Sequence, residues 1–255
     1  MASYLITGSS RGLGLALVSR LIALPASQVA TVFATSRQDQ PSANLKEIID
    51  RSAGRVAHVQ LNTTDQLSIK SAVQQVERQL QGRGLDVLIN NAGVQPMTQG
   101  GVETMDNLTD AFSINVNATH EVCRAFLPLL RKGQRKVISN ISTALGSIAM
   151  ATPYLARTSP AYNITKAALN MLTKQYALNL EKEEFTVFCL SPGWLQTDMG
   201  GSGADLSSEE GAVAVLDLIQ NANHRETNGR FLNIHVPGWE HAKGFNRYDG
   251  KEIPW

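Results

Sequence analysis

Short apolar runs rich in β-branched residues alternate along the chain with longer segments in which apolar residues recur at the period of a helix. This alternation is typical of strand–helix–strand units whose parallel strands are buried on both faces. The pattern predicts an α/β fold: a doubly wound Rossmann sheet of seven mainly parallel strands, with helices on both faces. The predicted strands are residues 3–7, 30–35, 56–60, 86–90, 136–141, 186–190 and 230–234. The predicted helices are residues 12–23, 45–53, 65–81, 105–130, 160–181 and 208–220.

The chain has 255 residues, and parallel α/β proteins often use this length as one domain. No repeat, low-complexity tract or long linker divides the pattern. The irregular stretches 193–207 and 236–255 are too short to be domains. We therefore expect a single domain over residues 1–255, with a C-terminal tail, 236–255, whose role the sequence leaves open.

The composition limits which classes of partner the protein can bind. Apolar residues make up 43% of the chain and the net charge is +1, so neither disorder nor electrostatic binding to nucleic acid or an anionic membrane is indicated. The most apolar early segment is shorter than the about 20 residues that a bilayer requires. The start of the chain has no basic region like that of a secretory signal, so we expect a cytoplasmic protein. Cys123 and Cys189 fit reduced core thiols, and no His or Cys spacing suggests a metal site.

A glycine-rich turn, Thr7-Gly8-Ser9-Ser10-Arg11-Gly12-Leu13-Gly14, follows the first predicted strand and opens the first predicted helix. Glycines there allow the backbone to approach a pyrophosphate, whose charge sits at the helix N-terminus. An ordinary turn uses the same residues, but its place between a strand and an apolar helix favours dinucleotide binding. The residues expected to bind the cofactor here are Gly8, Ser10, Arg11, Gly12, Leu13 and Gly14.

Further polar groups follow other predicted strands at the same edge of the sheet. Asn90-Asn91-Ala92-Gly93 ends the strand 86–90, where an open α/β sheet binds ligands. Ser142 and Thr143 follow the strand 136–141 and offer hydroxyls. Lys166 comes four residues after Tyr162 on a predicted helix, and from the same helix face an ammonium stabilises a phenolate. Tyr162 is therefore a candidate general acid.

Taken in order, these motifs resemble the short-chain dehydrogenase/reductase family over the whole chain. The resemblance implies that Asn115 supports a bound water, that Tyr162 gives a proton to a carbonyl oxygen, and that Lys166 binds the nicotinamide ribose and lowers the pKa of the tyrosine. It also assigns the segment after strand 186–190 to the nicotinamide carboxamide. The residues concerned there are Pro192, Gly193, Leu195 and Thr197, and those after strand 86–90 are Asn91, Ala92 and Gly93.

Two segments of the chain look like the branch that contains small carbonyl reductases and ketoreductases of the norsolorinic acid ketoreductase type. Leu61-Asn62 and the closing Asp249-Gly250-Lys251-Glu252-Ile253-Pro254-Trp255 carry this likeness. Two departures stand out. Asn62 replaces the family's usual Asp near the adenine, where its amide still offers an acceptor. Residues 236–248 are inserted before the closing motif.

The resemblance implies an NAD(P)-dependent oxidoreductase that reduces a ketone or aldehyde. We expect NADPH as the cofactor, because Arg37 follows the second strand where NAD-selective sheets place an acid, and Arg11 lies in the glycine-rich turn. Asp39 is the residue that argues for NADH. The alternatives are a dehydratase or epimerase of the same fold, and a non-enzymatic dinucleotide-binding regulatory protein.

A bulky apolar or aromatic, polyketide-like carbonyl is the expected small-molecule substrate. Segment 144–158 and loop 197–207 are expected to line its side of the site, and the loop to act as a lid. The residues behind this expectation are Met150, Pro153, Tyr154, Leu155, Trp194, Gly200, Gly201 and Gly203.

Two further expectations concern the catalytic hydroxyl and the assembly. Counting along the family's Asn-Ile-x-Ser pattern from Asn140 makes Thr143 the catalytic hydroxyl, with Ser142 as the alternative.

Apolar residues in 161–180 spread beyond one stripe, which favours a homodimer or homotetramer through the two long helices. The terminal tail is the intramolecular alternative for covering that face.

Overall fold

The computed structural model describes residues 1–151, 159–242 and 246–255. Seven parallel strands form one sheet in the order β3-β2-β1-β4-β5-β6-β9, and β7 pairs with β8 apart from it. The sequence prediction of a doubly wound Rossmann sheet is thus confirmed. The strands are β1 Ala2–Ile6, β2 Val29–Ser36, β3 Val56–Gln60, β4 Val87–Asn90, β5 Val137–Ile141, β6 Thr186–Ser191, β7 Leu195–Gln196, β8 Leu206–Ser207 and β9 Phe231–Asn233.

Helices pack on both faces of this sheet. One face carries a core that includes Leu17 and Val215, and the other carries a core that includes Val76 and Phe126. The strand order reverses between β1 and β4, so a crevice opens outside the carboxyl ends of these strands. The helices are α1 Gly12–Ala23, α2 Ala43–Arg51, α3 Gln66–Leu80, α4 Leu108–Phe112, α5 Ala118–Arg131, α6 Pro160–Asn179, α7 Ser208–Asn221 and α8 His224–Thr227.

Several predicted boundaries are wrong. The helix predicted over 105–130 begins at Leu108 and is interrupted by a π-helical turn, Ser113–Asn117, between α4 and α5. A 3.6-residue apolar pattern does not reveal one extra residue in a turn. Helix α2 begins at Ala43, because the Ser42 hydroxyl accepts the Leu45 N–H and caps it. The stretch expected to be irregular, 193–207, contains β7 and β8.

The C-terminal tail returns antiparallel along β9. Bridges join Leu232 to Glu252 and His235 to Asp249, and the Ile253 N–H donates to the Phe231 carbonyl at 2.7 Å. The Trp255 ring stacks on Phe231 with ring centroids 5.7 Å apart. The tail therefore covers an edge of the sheet that would otherwise expose unpaired backbone groups.

Both cysteines lie in the core of the fold. Cys123 and Cys189 are both buried free thiols, and burial raises the pKa of each to about 12. Among the helices described, none combines the length and the hydropathy needed to span a bilayer.

A buried chain of amide hydrogen bonds ties β4, β5 and α6 together. The Asn90 side-chain amide donates to the Asn140 Oδ1 at 2.8 Å, and the Asn140 amide donates to the Thr173 hydroxyl oxygen at 2.8 Å. Buried polar groups of this kind are costly when they lose a partner. The chain of bonds therefore fixes the height of α6 against the ends of the two strands.

We predict that Asn140→Ala lowers the free energy of unfolding by about 2–4 kcal/mol, because it removes two buried hydrogen bonds: the Asn90 amide loses its oxygen acceptor and the Thr173 hydroxyl oxygen loses its donor. The adjacent Ser139→Ala is the matched control: within the described residues the buried Ser139 hydroxyl has no hydrogen-bond partner, so its loss is neutral or mildly stabilising. Urea unfolding of both variants measures the difference. Equal destabilisation would contradict the assignment.

Candidate active site

The glycine-rich turn is fastened to the end of β4. The Thr7 hydroxyl oxygen accepts the N–H groups of Asn91 and Ala92 at 2.9 and 3.0 Å. In return, the Asn91 side-chain amide donates to the carbonyls of Thr7 and Gly8 at 2.9 and 3.0 Å. The residues predicted from two separate motifs thus form one clamp, in which Asn91 holds the turn in place.

Two glycines of the turn are required by lack of space. Gly8 has a φ of +71°, and a Cβ there would lie 3.1 Å from the Ala92 Cα. A Cβ on Gly14 would lie 2.2 Å from the Gly8 carbonyl oxygen. The backbone can therefore fold tightly onto the N-terminus of α1, the arrangement that binds a pyrophosphate. Leu13 is buried beneath the turn, and the Ser10 carbonyl accepts the Ser42 hydroxyl.

Tyr162 and Lys166 lie in the first two turns of α6, and both are buried. The Lys166 ammonium donates to the Ile141 carbonyl, the last of β5, at 2.7 Å, and lies 5.6 Å from the centre of the Tyr162 ring. A Cβ on Gly93 would lie 3.7 Å from the Lys166 Nζ and 3.1 Å from the Asn115 Oδ1. Side chains from α6 and the π-helical turn therefore converge on Gly93.

Asn115 sits inside the π-helical turn, and its side chain is fully engaged with protein groups. Its Oδ1 accepts the Val94 N–H, and its Nδ2 donates to the Val94 carbonyl and to the Thr165 hydroxyl, at 2.9, 2.9 and 3.0 Å. Single π turns inside helices are frequent at functional sites. Asn115 thus joins the loop after β4 to α6. On the α6 side it binds Thr165, a residue that the sequence pattern did not single out.

Burial acts in opposite directions on the two titratable groups. It raises the pKa of the Tyr162 phenol above its ordinary value and lowers the pKa of the Lys166 ammonium to about 8. The expectation that Lys166 lowers the tyrosine pKa therefore meets a larger opposing effect. A phenol that keeps its proton at neutral pH is ready to donate it.

The two hydroxyls that follow β5 lie in different surroundings. The Ser142 side chain is 1% exposed, and its hydroxyl donates to the Asn170 Oδ1 of α6 at 2.6 Å. Thr143 is half-buried, and its hydroxyl oxygen accepts the Leu145 N–H at 3.3 Å, which leaves its own O–H proton to donate elsewhere. Successive residues of an extended chain point their side chains to opposite sides, and the different hydrogen-bond partners of Ser142 and Thr143 agree with this.

The segment after β6 closes the other side of the crevice. Gly193 has a φ of +84°, and a Cβ there would lie 3.0 Å from a Leu206 methyl carbon. A Cβ on Gly12 would lie 3.3 Å from the Thr197 methyl, so this segment lies against the glycine-rich turn. Leu195 is buried, while Pro192 is half-buried.

The residues expected near the adenosine are exposed or already bonded to neighbouring protein groups. Arg37 and Asp39 are both exposed after β2. Arg11 pairs with Asp198, and both side chains are largely exposed, so solvent screens the pair. The Asn62 Oδ1 accepts the Thr64 N–H and hydroxyl at 3.3 and 3.0 Å, so the acceptor expected to face adenine is already used locally.

The expected substrate side is only partly described. Trp194, Met199 and Ile148 are exposed apolar side chains, with relative exposures of 46%, 49% and 76%. Met150 packs against a small core around Phe231 instead of facing outward. Pro153, Tyr154 and Leu155 lie outside the described residues.

The first part of the loop expected to act as a lid is held by hydrogen bonds. The Trp194 indole N–H donates to the Gly200 carbonyl at 2.8 Å. A Cβ on Gly201 or Gly203 would meet nothing within 4 Å. The tip of this loop is therefore open, while its first turn is held.

Comparison with known proteins identifies the family. A family model of the short chain dehydrogenases matches residues 3–206. The chain belongs to the short-chain dehydrogenase family. It is 36% identical over 173 residues to the C-signal of Myxococcus xanthus, covering 67% of this chain and 93% of that one.

Two solved structures resemble this chain over its whole length. The carbonyl reductase Sniffer of D. melanogaster is 30% identical, with a TM-score of 0.87 and full coverage of both chains. The NADPH-bound carbonyl reductase from chicken fatty liver is 30% identical, with a TM-score of 0.84, and the match covers 100% of this chain and 99% of that one. The expected family, its carbonyl reductase branch and an NAD(P)-dependent oxidoreductase class are confirmed, and these likenesses support NAD(P)-dependent carbonyl reduction.

We predict that carbonyl reduction by this dehydrogenase is constant below pH about 8 and falls above it. Burial disfavours the charged form of Lys166, so its ammonium is present below that pH and is lost as the pH rises through it. The kcat/KM for a ketone, measured from pH 6 to about 10, checks this, with circular dichroism at each pH as the control for unfolding. A flat profile up to pH about 10 would contradict it.

Proposed function

We propose that this dehydrogenase reduces a bulky apolar or aromatic ketone or aldehyde to the alcohol with NADPH. The observation that carries the proposal is the convergence of Lys166 and Asn115 on Gly93 after β4, with Tyr162 one turn before Lys166 on the same helix. A carbonyl group placed there meets a proton donor. The carbonyl reductase from chicken fatty liver is NADPH-bound, which supports the choice of cofactor.

The glycine-rich turn suits a dinucleotide, because its glycines let the backbone fold tightly onto the N-terminus of α1, where a helix binds a pyrophosphate. The turn and the N-terminus of α1 would hold the pyrophosphate, and the segment 192–197 the nicotinamide end. Lys166 would bind the nicotinamide ribose, and Arg37 and Arg11 the 2′-phosphate. Bound NADPH would supply the hydride.

The chain's own residues manage the proton. The Tyr162 O–H donates to the substrate carbonyl oxygen, and the Thr143 O–H donates a second hydrogen bond that stabilises the developing alkoxide. The Lys166 ammonium stabilises the phenolate that Tyr162 becomes. Asn115 holds the loop after β4 against α6, so that these groups keep their spacing.

The apolar substrate class is supported by the rim of the crevice. Trp194 and Met199 follow β6 and remain partly exposed beside the segment expected to hold the nicotinamide. Exposed apolar side chains at a cleft favour an apolar ligand. The dehydratase, the epimerase and the non-enzymatic regulatory protein remain the rival proposals.

A substrate panel tests the proposal. Wild-type enzyme is mixed with NADPH and aromatic, aliphatic or polyketide-like ketones, and loss of reduced-cofactor absorbance is followed together with the alcohol product. We expect consumption of NADPH that matches alcohol formation and favours the bulky aromatic members. Binding of NADPH without turnover on any member would favour the regulatory rival. Product formed without net cofactor consumption would favour the dehydratase or epimerase.

For the catalytic hydroxyl, we predict that Thr143→Val lowers kcat by about 10²–10³, because it deletes a positioned donor and keeps the side chain's shape. Ser142→Ala is the matched control, since the Ser142 hydroxyl is turned to Asn170, and it should change kcat far less. Steady-state kinetics with NADPH binding measured separately checks both. The reverse ranking would transfer the role to Ser142.

For cofactor selectivity, we predict that Arg37→Asp lowers the ratio of NADPH to NADH efficiency by about 10- to 100-fold, the worth of a charge-assisted hydrogen bond. The charge-matched control is Arg225→Asp, a reversal at an exposed position of α8. Measurement of kcat/KM with both cofactors gives the ratio. An unchanged ratio in Arg37→Asp would sink the 2′-phosphate assignment.

We also propose a homodimer or homotetramer in the cytoplasm. Ile164, Met171 and Leu178 form an exposed apolar stripe along α6, each seven residues after the last. Within the described part of the tail, hydrogen bonds to the rest of the chain run to residues 231–235, 147, 149, 194 and 205, and none of these reaches α6.

We predict that light scattering at micromolar concentration shows an oligomer and that Met171→Glu converts it to a monomer, because a charge would be buried in the interface. Val213→Glu, at an exposed apolar position on α7, is the control and should leave the assembly intact. A wild-type monomer would refute the assembly.

A further inference from the structure

The tail residue Tyr248 reaches the segment that lines the crevice. The backbone pairing of the tail with β9 continues to its end, where the Gly250 N–H donates to the Ile234 carbonyl and the Val236 N–H donates to the Tyr248 carbonyl, at 3.0 and 2.9 Å. This pairing sets Tyr248 beside the carboxyl edge of the sheet. Its ring is 2% exposed and packs against Trp239, with ring centroids 5.2 Å apart.

The Tyr248 hydroxyl bridges two points of the segment that follows β6. It accepts the Trp194 N–H at 3.1 Å and donates to the Asp205 carboxylate at 2.7 Å. Trp194 immediately precedes β7, and Asp205 immediately precedes β8. One phenol from the far end of the chain therefore closes the base of the loop 197–205.

The same ring limits where the backbone before β7 can lie. A Cβ on Gly193 would lie 3.3 Å from a Tyr248 ring carbon. The Leu206 N–H donates to the Trp194 carbonyl at 3.2 Å, so the Trp194 peptide is held on its other side too. Since Gly193 and Trp194 lie within the segment assigned to the nicotinamide, their position sets that end of the crevice.

We propose that Tyr248 is a positioning residue, whose hydroxyl fixes the segment 192–197 for the nicotinamide end of the cofactor and holds the base of the loop 197–205. The proposal rests on the function proposed above. It gives the tail, whose role the sequence left open, a part in cofactor binding. If only the packing of the ring mattered, the hydroxyl would be dispensable. Removing the hydroxyl alone therefore distinguishes a positioning role from a purely structural one.

Tyr248→Phe removes the hydroxyl and keeps the ring. We expect amide hydrogen exchange in residues 194–206 to quicken by about tenfold, the worth of one buried hydrogen bond, without cofactor present. We expect the Kd for NADPH to rise about 5- to 10-fold while the Kd for adenosine 2′,5′-bisphosphate, which lacks the nicotinamide end, is unchanged. Tyr4→Phe is the matched control: its buried phenol contacts Arg135 at the opposite end of the sheet, so neither quantity should move.

Asp205 supplies a second pair of variants in case Tyr248→Phe folds poorly. Asp205→Asn keeps an acceptor for the phenol and should behave like the wild type, while Asp205→Ala, which removes one of the two bonds, should change both quantities in the same direction as Tyr248→Phe but by less. Unchanged exchange and an unchanged NADPH Kd in Tyr248→Phe would overturn the proposal, as would an equal rise in both ligand Kd values. Wild-type enzyme that does not bind NADPH would overturn the proposed function instead, while the exchange comparison would still decide whether the hydroxyl holds the loop.

Discussion

The Lys166 ammonium is buried, and the rest of the site depends on how it is held. Its bond of 2.7 Å to the last carbonyl of β5 joins the edge of the sheet to α6. That bond fixes the rotation of α6 and therefore the position of Tyr162, four residues earlier on the same face. It also accounts for a charged group in a place where charge is costly, because a carbonyl oxygen replaces part of the lost hydration.

Other contacts at this edge make the arrangement rigid. Asn91 binds the glycine-rich turn to the end of β4, Asn140 binds β5 to α6, and Asn115 binds the π-helical turn to both the β4 loop and α6. Each is an amide, which donates and accepts at once and so joins two elements that have no backbone pairing. The crevice is therefore shaped by side-chain bonds among separate elements, with the parallel strands supplying the common edge.

Much of this was predictable from the sequence. The alternation of apolar runs gives the seven strands, and the motifs around Gly8, Gly93 and Tyr162 follow strands or open helices, so topology alone gathers them at one edge. The π-helical turn around Asn115 was not predictable, because it departs from the helical period by one residue. The contacts of Tyr248 were not predictable either, since they join residues 43 and 54 positions apart without any local pattern.

We propose that Tyr162 donates the proton while the surrounding crevice binds the cofactor independently of it. A single-turnover measurement with saturating NADPH and the best ketone of the panel tests it most directly, comparing wild type with Tyr162→Phe, which removes the phenol proton and keeps the ring. We predict that the rate of reduction by Tyr162→Phe falls by at least about 10²-fold while its Kd for NADPH stays within about twofold of the wild type. A Tyr162→Phe enzyme that reduces the ketone at the wild-type rate would contradict it.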